Sequence, residues 1–184
     1  MGNQWTIPGT VITLDRQEAT RVDKIFDSLF LTGGMTLSQI CNLTGLEAYM
    51  VQNWVKRGFL TPPQQKLYNK EQLCRIININ MLRGILPMER ICSLLSYVNG
   101  HLDDVSDDII QDSQLYCIFV GLAVRARELD DRAACRRIID EQLLDYVEPV
   151  PGARDRITKA LEIMLTAWLA AKMRSAAEKM LEEL

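Results

Sequence analysis

Apolar positions recur with a helical period along most of the chain. Between residues 18 and 31, Val22, Ile25, Phe26, Leu29 and Phe30 share one face, which predicts a helix ended by Gly33 and Gly34. Residues 1–17 show no clear period and contain Pro8 and Gly9, so an irregular arm is expected there, with a short strand over 9–14. Thr36-Leu-Ser-Gln39 has the form of a capping box and opens a short helix with Leu37, Ile40, Cys41 and Leu43 inward. Gly45 supplies a tight turn into a second helix over 47–57, and Gly58 stands where a left-handed residue would end it. That second helix has two faces. Ala48, Val51, Trp54 and Val55 fall on one side, while Tyr49, Gln52, Asn53 and Lys56, spaced i, i+3, i+4 and i+7, fall on the other.

Beyond it, Phe59-Leu60 and Lys66-Leu67-Tyr68 are short apolar runs separated by Pro62-Pro63 and Gln64-Gln65, a pattern that predicts a small β-hairpin, or wing. Asn69-Lys-Glu-Gln72 repeats the capping pattern and starts a helix to Arg83, with Leu73, Ile76, Ile77 and Met81 buried and Gly84 closing it. Pro87 sits at the first turn of a further helix bearing Ile91, Leu94, Leu95 and Val98. The acidic, turn-rich run from His101 to Asp108 reads as a connector and as the main boundary. Three helices follow, at about 113–129, 132–147 and 153–184. The first has a wide apolar stripe (Leu115, Ile118, Phe119, Leu122, Ala126, Leu129) and is expected to be central. The last has a nearly continuous seam of Ile157, Leu161, Leu165, Trp168, Ala176, Met180 and Leu184, suited to packing within the chain or against a second subunit.

A chain of 184 residues, 48% apolar and 24% charged, has the make-up of an ordered globular protein. Its net charge of −3 hides an asymmetry: residues 35–99 hold seven basic and three acidic side chains, residues 100–184 eleven basic and seventeen acidic. A basic segment beside an acidic one is expected of a nucleic-acid-binding head with a separate body. The five cysteines are widely spaced without a Cys-x-x-Cys pair and read as small core residues of a reducing compartment. With one histidine there is no zinc constellation, and neither a Ser-His-Asp set nor a glycine-rich phosphate loop is present, so no enzyme, cofactor or metal is expected. The start lacks a basic region followed by an apolar run, and the most apolar late stretch is broken by Lys159, Glu162 and Lys172. The expectation is a cytoplasmic protein with no membrane partner.

The polar face over 47–57 has the chemistry that touches base edges and phosphates. Thr44-Gly45-Leu46, then Gly58-Phe59-Leu60, then Lys66-Leu67-Tyr68 ahead of a capped helix resembles the MerR-type winged helix-turn-helix, in which a Thr-Gly-hydrophobic turn precedes the recognition helix and a basic-x-Tyr segment closes the wing. The same stretch is similar to an uncharacterised domain family of Firmicutes with a double proline and a Tyr before the next helix. The resemblance covers residues 35–98. It implies a MerR-like winged helix-turn-helix with a small β-hairpin wing (35–100); the helical periods on either side add an N-terminal arm and helix (1–34) and an all-α dimerisation or effector domain (101–184), for a mainly α fold. It also implies a sequence-specific transcriptional regulator that binds double-stranded DNA; two-fold operators and the apolar seam of the last helix add the expectation of a homodimer, and whether a small-molecule effector acts on it is left open. This chain departs from the MerR pattern where Glu47 replaces the usual capping Ser and where Gln52 and Asn53 stand in place of the Arg and Tyr that grip phosphate.

Gln52 and Asn53 are therefore the candidate base readers, each able to make two hydrogen bonds to an adenine. Lys56 and Arg57 suit phosphates, Tyr49 a sugar or phosphate, and Lys66 the backbone from the wing. Tyr68 completes the expected DNA-binding set and also suits an anchor between wing and helix. Trp54 is assigned to the core. An alternative uses the same residues: with the Arg-Tyr grip missing and the net charge negative, a degenerate helix-turn-helix would serve as a non-enzymatic protein-interaction or structural module.

Overall fold

In chain order the computed structural model comprises β1 (Gln4–Thr6), β2 (Thr13–Asp15), a single 3-10 turn (Glu18–Arg21), α1 (Val22–Leu29), β3 (Met35–Thr36), α2 (Leu37–Thr44), α3 (Ala48–Lys56), β4 (Leu67–Tyr68), α4 (Lys70–Leu82), α5 (Met88–Asn99), α6 (Asp112–Val124), α7 (Arg132–Gln142) and α8 (Ala153–Glu182). It describes residues 4–31, 33–102, 104, 106–125 and 132–184; the expected contributions of Ala126 and Leu129 to the central stripe lie outside these. The protein is mainly helical.

Helix α6 is apolar on all sides, and Leu115, Tyr116, Ile118, Phe119, Val120, Leu122 and Ala123 are all buried, as a central helix requires. Helix α4 packs along it and against α2, α5 and α8. Being enclosed on several faces, α4 buries far more than its expected stripe, including the polar Gln72, Arg75 and Asn78. Arg75 pairs with Asp112 across α4 and α6 (Nη1 to Oδ2, 3.2 Å), with the two residues 5% and 8% exposed. At the same junction Glu71 accepts from the backbone N–H and the hydroxyl of Ser113 at 2.8 and 2.6 Å, placing a carboxylate on donors that α6 leaves unpaired at its start. One apolar core runs from Trp5 to Trp168, so residues on both sides of the expected boundary near 100 share it.

The N-terminal arm is more regular than its sequence predicts. Instead of a lone strand over 9–14, β1 and β2 form an antiparallel hairpin with Gln4 opposite Asp15. Each strand is three residues long and inserts one apolar side chain, Trp5 or Leu14, too little for a period-2 pattern to emerge. The arm lies on the core helices. Gly9, at φ +75°, approaches α4 so closely that a Cβ would stand 2.6 Å from the Ile77 carbonyl oxygen. Asn80 donates to the carbonyls of Gly9 (2.9 Å) and Thr44 (3.0 Å), joining the arm to the end of α2, and the Tyr116 hydroxyl donates to Pro8 at 2.7 Å.

The seam of α8 divides in two. Ile157, Leu161, Leu165 and Trp168 are buried, with Trp168 edge-on to Phe119 at 6.0 Å, whereas Met173, Met180, Leu181 and Leu184 are exposed. Among the described residues no helix is long and apolar enough to cross a membrane.

Candidate functional site

The α2–α3 pair is built as its sequence predicts at both critical points. Thr36 and Gln39 form the reciprocal cap, with Thr36 N–H donating to Gln39 Oε1 at 2.8 Å and Gln39 N–H to Thr36 Oγ1 at 3.4 Å. Gly45 adopts φ +70°, the left-handed conformation that lets the chain reverse after α2. The Thr44 hydroxyl donates to Ile40 and accepts from Leu46 N–H, so the turn is fixed from within.

Val51 and Trp54 then seat α3, both buried, with Val55 half-buried. Ala48, expected on the inner face, is exposed: α3 begins at this residue, and within its first turn Met50 and Val51 make the core contacts instead. The opposite face is open: Tyr49 is 69% exposed, and Gln52, Asn53 and Lys56 are exposed in line with it. Arg57, also exposed, differs from its neighbours. Its guanidinium pairs with Glu89 of α5 at 3.1 Å and lies 4.5 Å above the Phe59 ring. Glu89 was not among the expected site residues, and a partner 32 positions away leaves no local sequence signal. Lys56 and Lys66 form no ion pair among the described residues.

The expected wing pairing of Phe59-Leu60 with Lys66-Leu67-Tyr68 does not form. Leu60 goes into the core, the Phe59 carbonyl accepts from Arg75 Nε at 3.1 Å, and Pro62 and Pro63 have no N–H to donate to a ladder. β4 pairs instead with β3, placing Tyr68 opposite Met35 just ahead of α2. The projecting tip is a two-residue turn, in which Gln64 and Leu67 exchange backbone hydrogen bonds around Gln65 and Lys66 at φ +48° and +66°. Both central residues are left-handed, as in a type I′ turn, yet neither is the Asn or Gly that such a turn favours. Changing Gln65 to Asn together with Lys66 to Gly is expected to stabilise the fold by about 1 kcal/mol, net of the greater unfolded-state entropy of glycine. A higher urea midpoint at unchanged slope would show it; an unchanged or lower midpoint would argue against strain at the tip.

Tyr68 is 3% exposed, and burial raises its phenol above the ordinary range. It is thus an anchor of the small sheet, which leaves Tyr49, Gln52, Asn53, Lys56, Arg57 and Lys66 as the surface set. Between α3 and the tip lies a groove of about 420 Å³ lined by Leu37, Gln52, Val55, Pro63, Lys66 and Tyr68. Cys74 and Cys135 are buried, and Cys41, Cys92 and Cys117 are half-buried. Burial pushes the Cys117 thiol up to about 11, so it is protonated at neutral pH.

The family described as "Domain of unknown function (DUF1836)" matches residues 22–119, more than half of the chain, from α1 through most of α6. The chain belongs to that family. DUF1836 thus takes in the arm-side helix, the α2–α3 pair, the tip and the two central helices, which share the core described above. The chain is also similar to "Uncharacterized protein YkrK" of Bacillus subtilis (strain 168), with 32% identity over 98 residues, covering 50% of this chain and 42% of that protein. It therefore spans less than half the length of this relative. No solved structure matches.

Proposed function

We propose that this DUF1836 protein is a sequence-specific DNA-binding transcriptional regulator, with α3 in the major groove and the Gln65-Lys66 tip against the backbone as the wing of a MerR-like winged helix-turn-helix. One observation carries the reading. A helix fixed on one side by Val51 and Trp54 presents Tyr49, Gln52, Asn53 and Lys56 as one exposed strip directly after a left-handed glycine turn. Carboxamides at i and i+1 suit adenine edges, and the lysines suit phosphates. The groove beside Gln52 has a mainly apolar lining that suits a thymine methyl group. The protein acts as a homodimer in this proposal. The exposed Met173, Met180, Leu181 and Leu184 support it, because they gather on one side at the end of α8 as an apolar face of their own.

The same groove also favours a second reading, in which it accepts an apolar side chain of a protein partner and the polar strip forms the rim. Sequencing the genomic duplex fragments retained by the purified full chain separates the two. The DNA reading predicts a shared motif in two-fold-related half-sites. Retention of no fragment, or of fragments without a common motif, would reject it in favour of the interaction module.

A further inference from the structure

The two flanks of the exposed α3 strip are built differently. On one flank, the groove lined by Gln52 and Val55 runs to the tip, where Lys66 forms no ion pair among the described residues. On the other flank stands the start of α5. Arg57 lies on that side, four residues after Asn53 and next to Lys56. Its Nη2 donates to Glu89 Oε1 at 3.1 Å, and its guanidinium lies 4.5 Å above the ring of Phe59, which packs on the core. The pair stands in solvent, with the Arg57 and Glu89 side chains 48% and 70% exposed. It is made by one hydrogen bond rather than a two-pronged clamp, and exposed pairs of this kind contribute little to stability. Nor do the helices need it to stay in place: Val51 and Trp54 seat α3, while Ile91 and Leu95 seat α5, all four buried.

We infer that Glu89 is a positioning residue that holds Arg57 off the DNA backbone, and so sets how tightly the α3 face binds duplex of any sequence. This device rests on the DNA reading of α3 and adds its regulation. The chemistry is a competition, because a carboxylate and a phosphate present similar oxygens to the same guanidinium fork. While Glu89 holds the guanidinium, a phosphate on this flank meets a neutral pair instead of a cation. Arg57 leaves the helix in the same turn as Lys56, so releasing its head adds one cation beside a residue already assigned to phosphate. Phosphate contacts carry no sequence information. Glu89 therefore acts on overall affinity and leaves the base discrimination of Gln52 and Asn53 as it is.

The experiment compares the full-length wild type with Glu89→Gln, which keeps the shape of the side chain and removes its charge. Fluorescence anisotropy follows binding to a random-sequence duplex and to a genomic fragment that the wild type retains. Glu89→Gln should bind both more tightly, by the same factor, with a salt slope steeper by about 0.9, the value of one phosphate contact. Its gain over the wild type should then grow about 3.5-fold as salt falls from about 200 to 50 mM. Glu89→Ala should behave alike, and both variants should keep the wild-type thermal midpoint within a few degrees. In an Arg57→Ala background the same change at Glu89 should bring no gain. The same gain without Arg57 would overturn the inference, because the carboxylate would then be repelling phosphate directly. A gain confined to the retained fragment would also overturn it, since Arg57 would then be reading bases. A wild type that binds duplex with a falling salt dependence, beside a Glu89→Gln protein of equal slope, would remove the role of Glu89 and leave the DNA reading standing. A wild type that binds neither duplex would remove both.

Discussion

Replacing Arg75 by methionine is expected to destabilise the protein by about 3–5 kcal/mol, the usual cost of removing one partner from a buried ion pair. The substitution keeps most of the volume but leaves the Asp112 carboxylate in the α4–α6 interface with Asn78 at 3.5 Å as its remaining side-chain partner. It also frees the Phe59 carbonyl that Arg75 Nε holds. The effect should depend on pH in a definite sense. Burial already raises the Asp112 carboxyl above the ordinary aspartate range despite Arg75, and losing the guanidinium raises it further. The folded variant therefore binds this proton more tightly than the unfolded chain, so its stability is highest below the unfolded pKa near 4 and falls as the pH rises. Urea titrations at pH 4 and pH 7.5 would show a small deficit at the first and a large one at the second. Pairing Arg75→Met with Asp112→Leu should recover much of the loss, because replacing both partners by apolar groups removes the stranded charge. A deficit that is the same at both pH values and in the double variant would mean that shape, not charge, sets the role of Arg75.

The second large effect belongs to the α3 face. Changing Gln52 and Asn53 together to alanine is expected to remove about 2–6 kcal/mol of discrimination between a retained operator and unrelated duplex, from roughly 1–3 kcal/mol for each bidentate carboxamide–adenine pair. Affinity for unrelated duplex should stay nearly constant, since Lys56 and Lys66 remain. Both side chains are exposed, so stability should move by no more than about 0.5 kcal/mol. Competition between labelled operator and random duplex reads the discrimination directly. Unchanged discrimination would show that this face does not read bases.

The parts of this fold that were legible in the sequence are those fixed by neighbours in the chain. The Thr36–Gln39 and Asn69–Gln72 caps are four-residue devices, and both form as spelled out. The left-handed Gly45, the Val51–Trp54 anchor and the apolar surround of α6 are equally local. What escaped is set by distant partners. Arg75 on a polar helix position gives no sign of Asp112, and Arg57 looks like any surface cation until Glu89 of α5 is beside it. The β3–β4 pairing joins two-residue strands more than thirty positions apart, too short for any periodicity. The tip was hidden for another reason, as Gln65 and Lys66 occupy left-handed positions without the glycine or asparagine that would announce them. At the candidate site the polar strip of α3 was legible from helical spacing alone, whereas the burial of Tyr68 was not.

In the proposed complex, α3 and the tip grip the DNA backbone through Lys56 and Lys66 while the Gln52 and Asn53 carboxamides read the bases. The most direct test is the salt dependence of duplex binding by fluorescence anisotropy, compared between the wild type and a Lys56→Ala, Lys66→Ala variant. Each phosphate contact adds about 0.9 to the slope of log affinity against log salt. The double variant should therefore bind with a slope shallower by about 1.8, whereas Arg57→Ala, whose charge Glu89 already offsets at 3.1 Å, should change it by less than one contact. A wild type whose affinity does not fall with salt, or a double variant with the wild-type slope, would contradict the account.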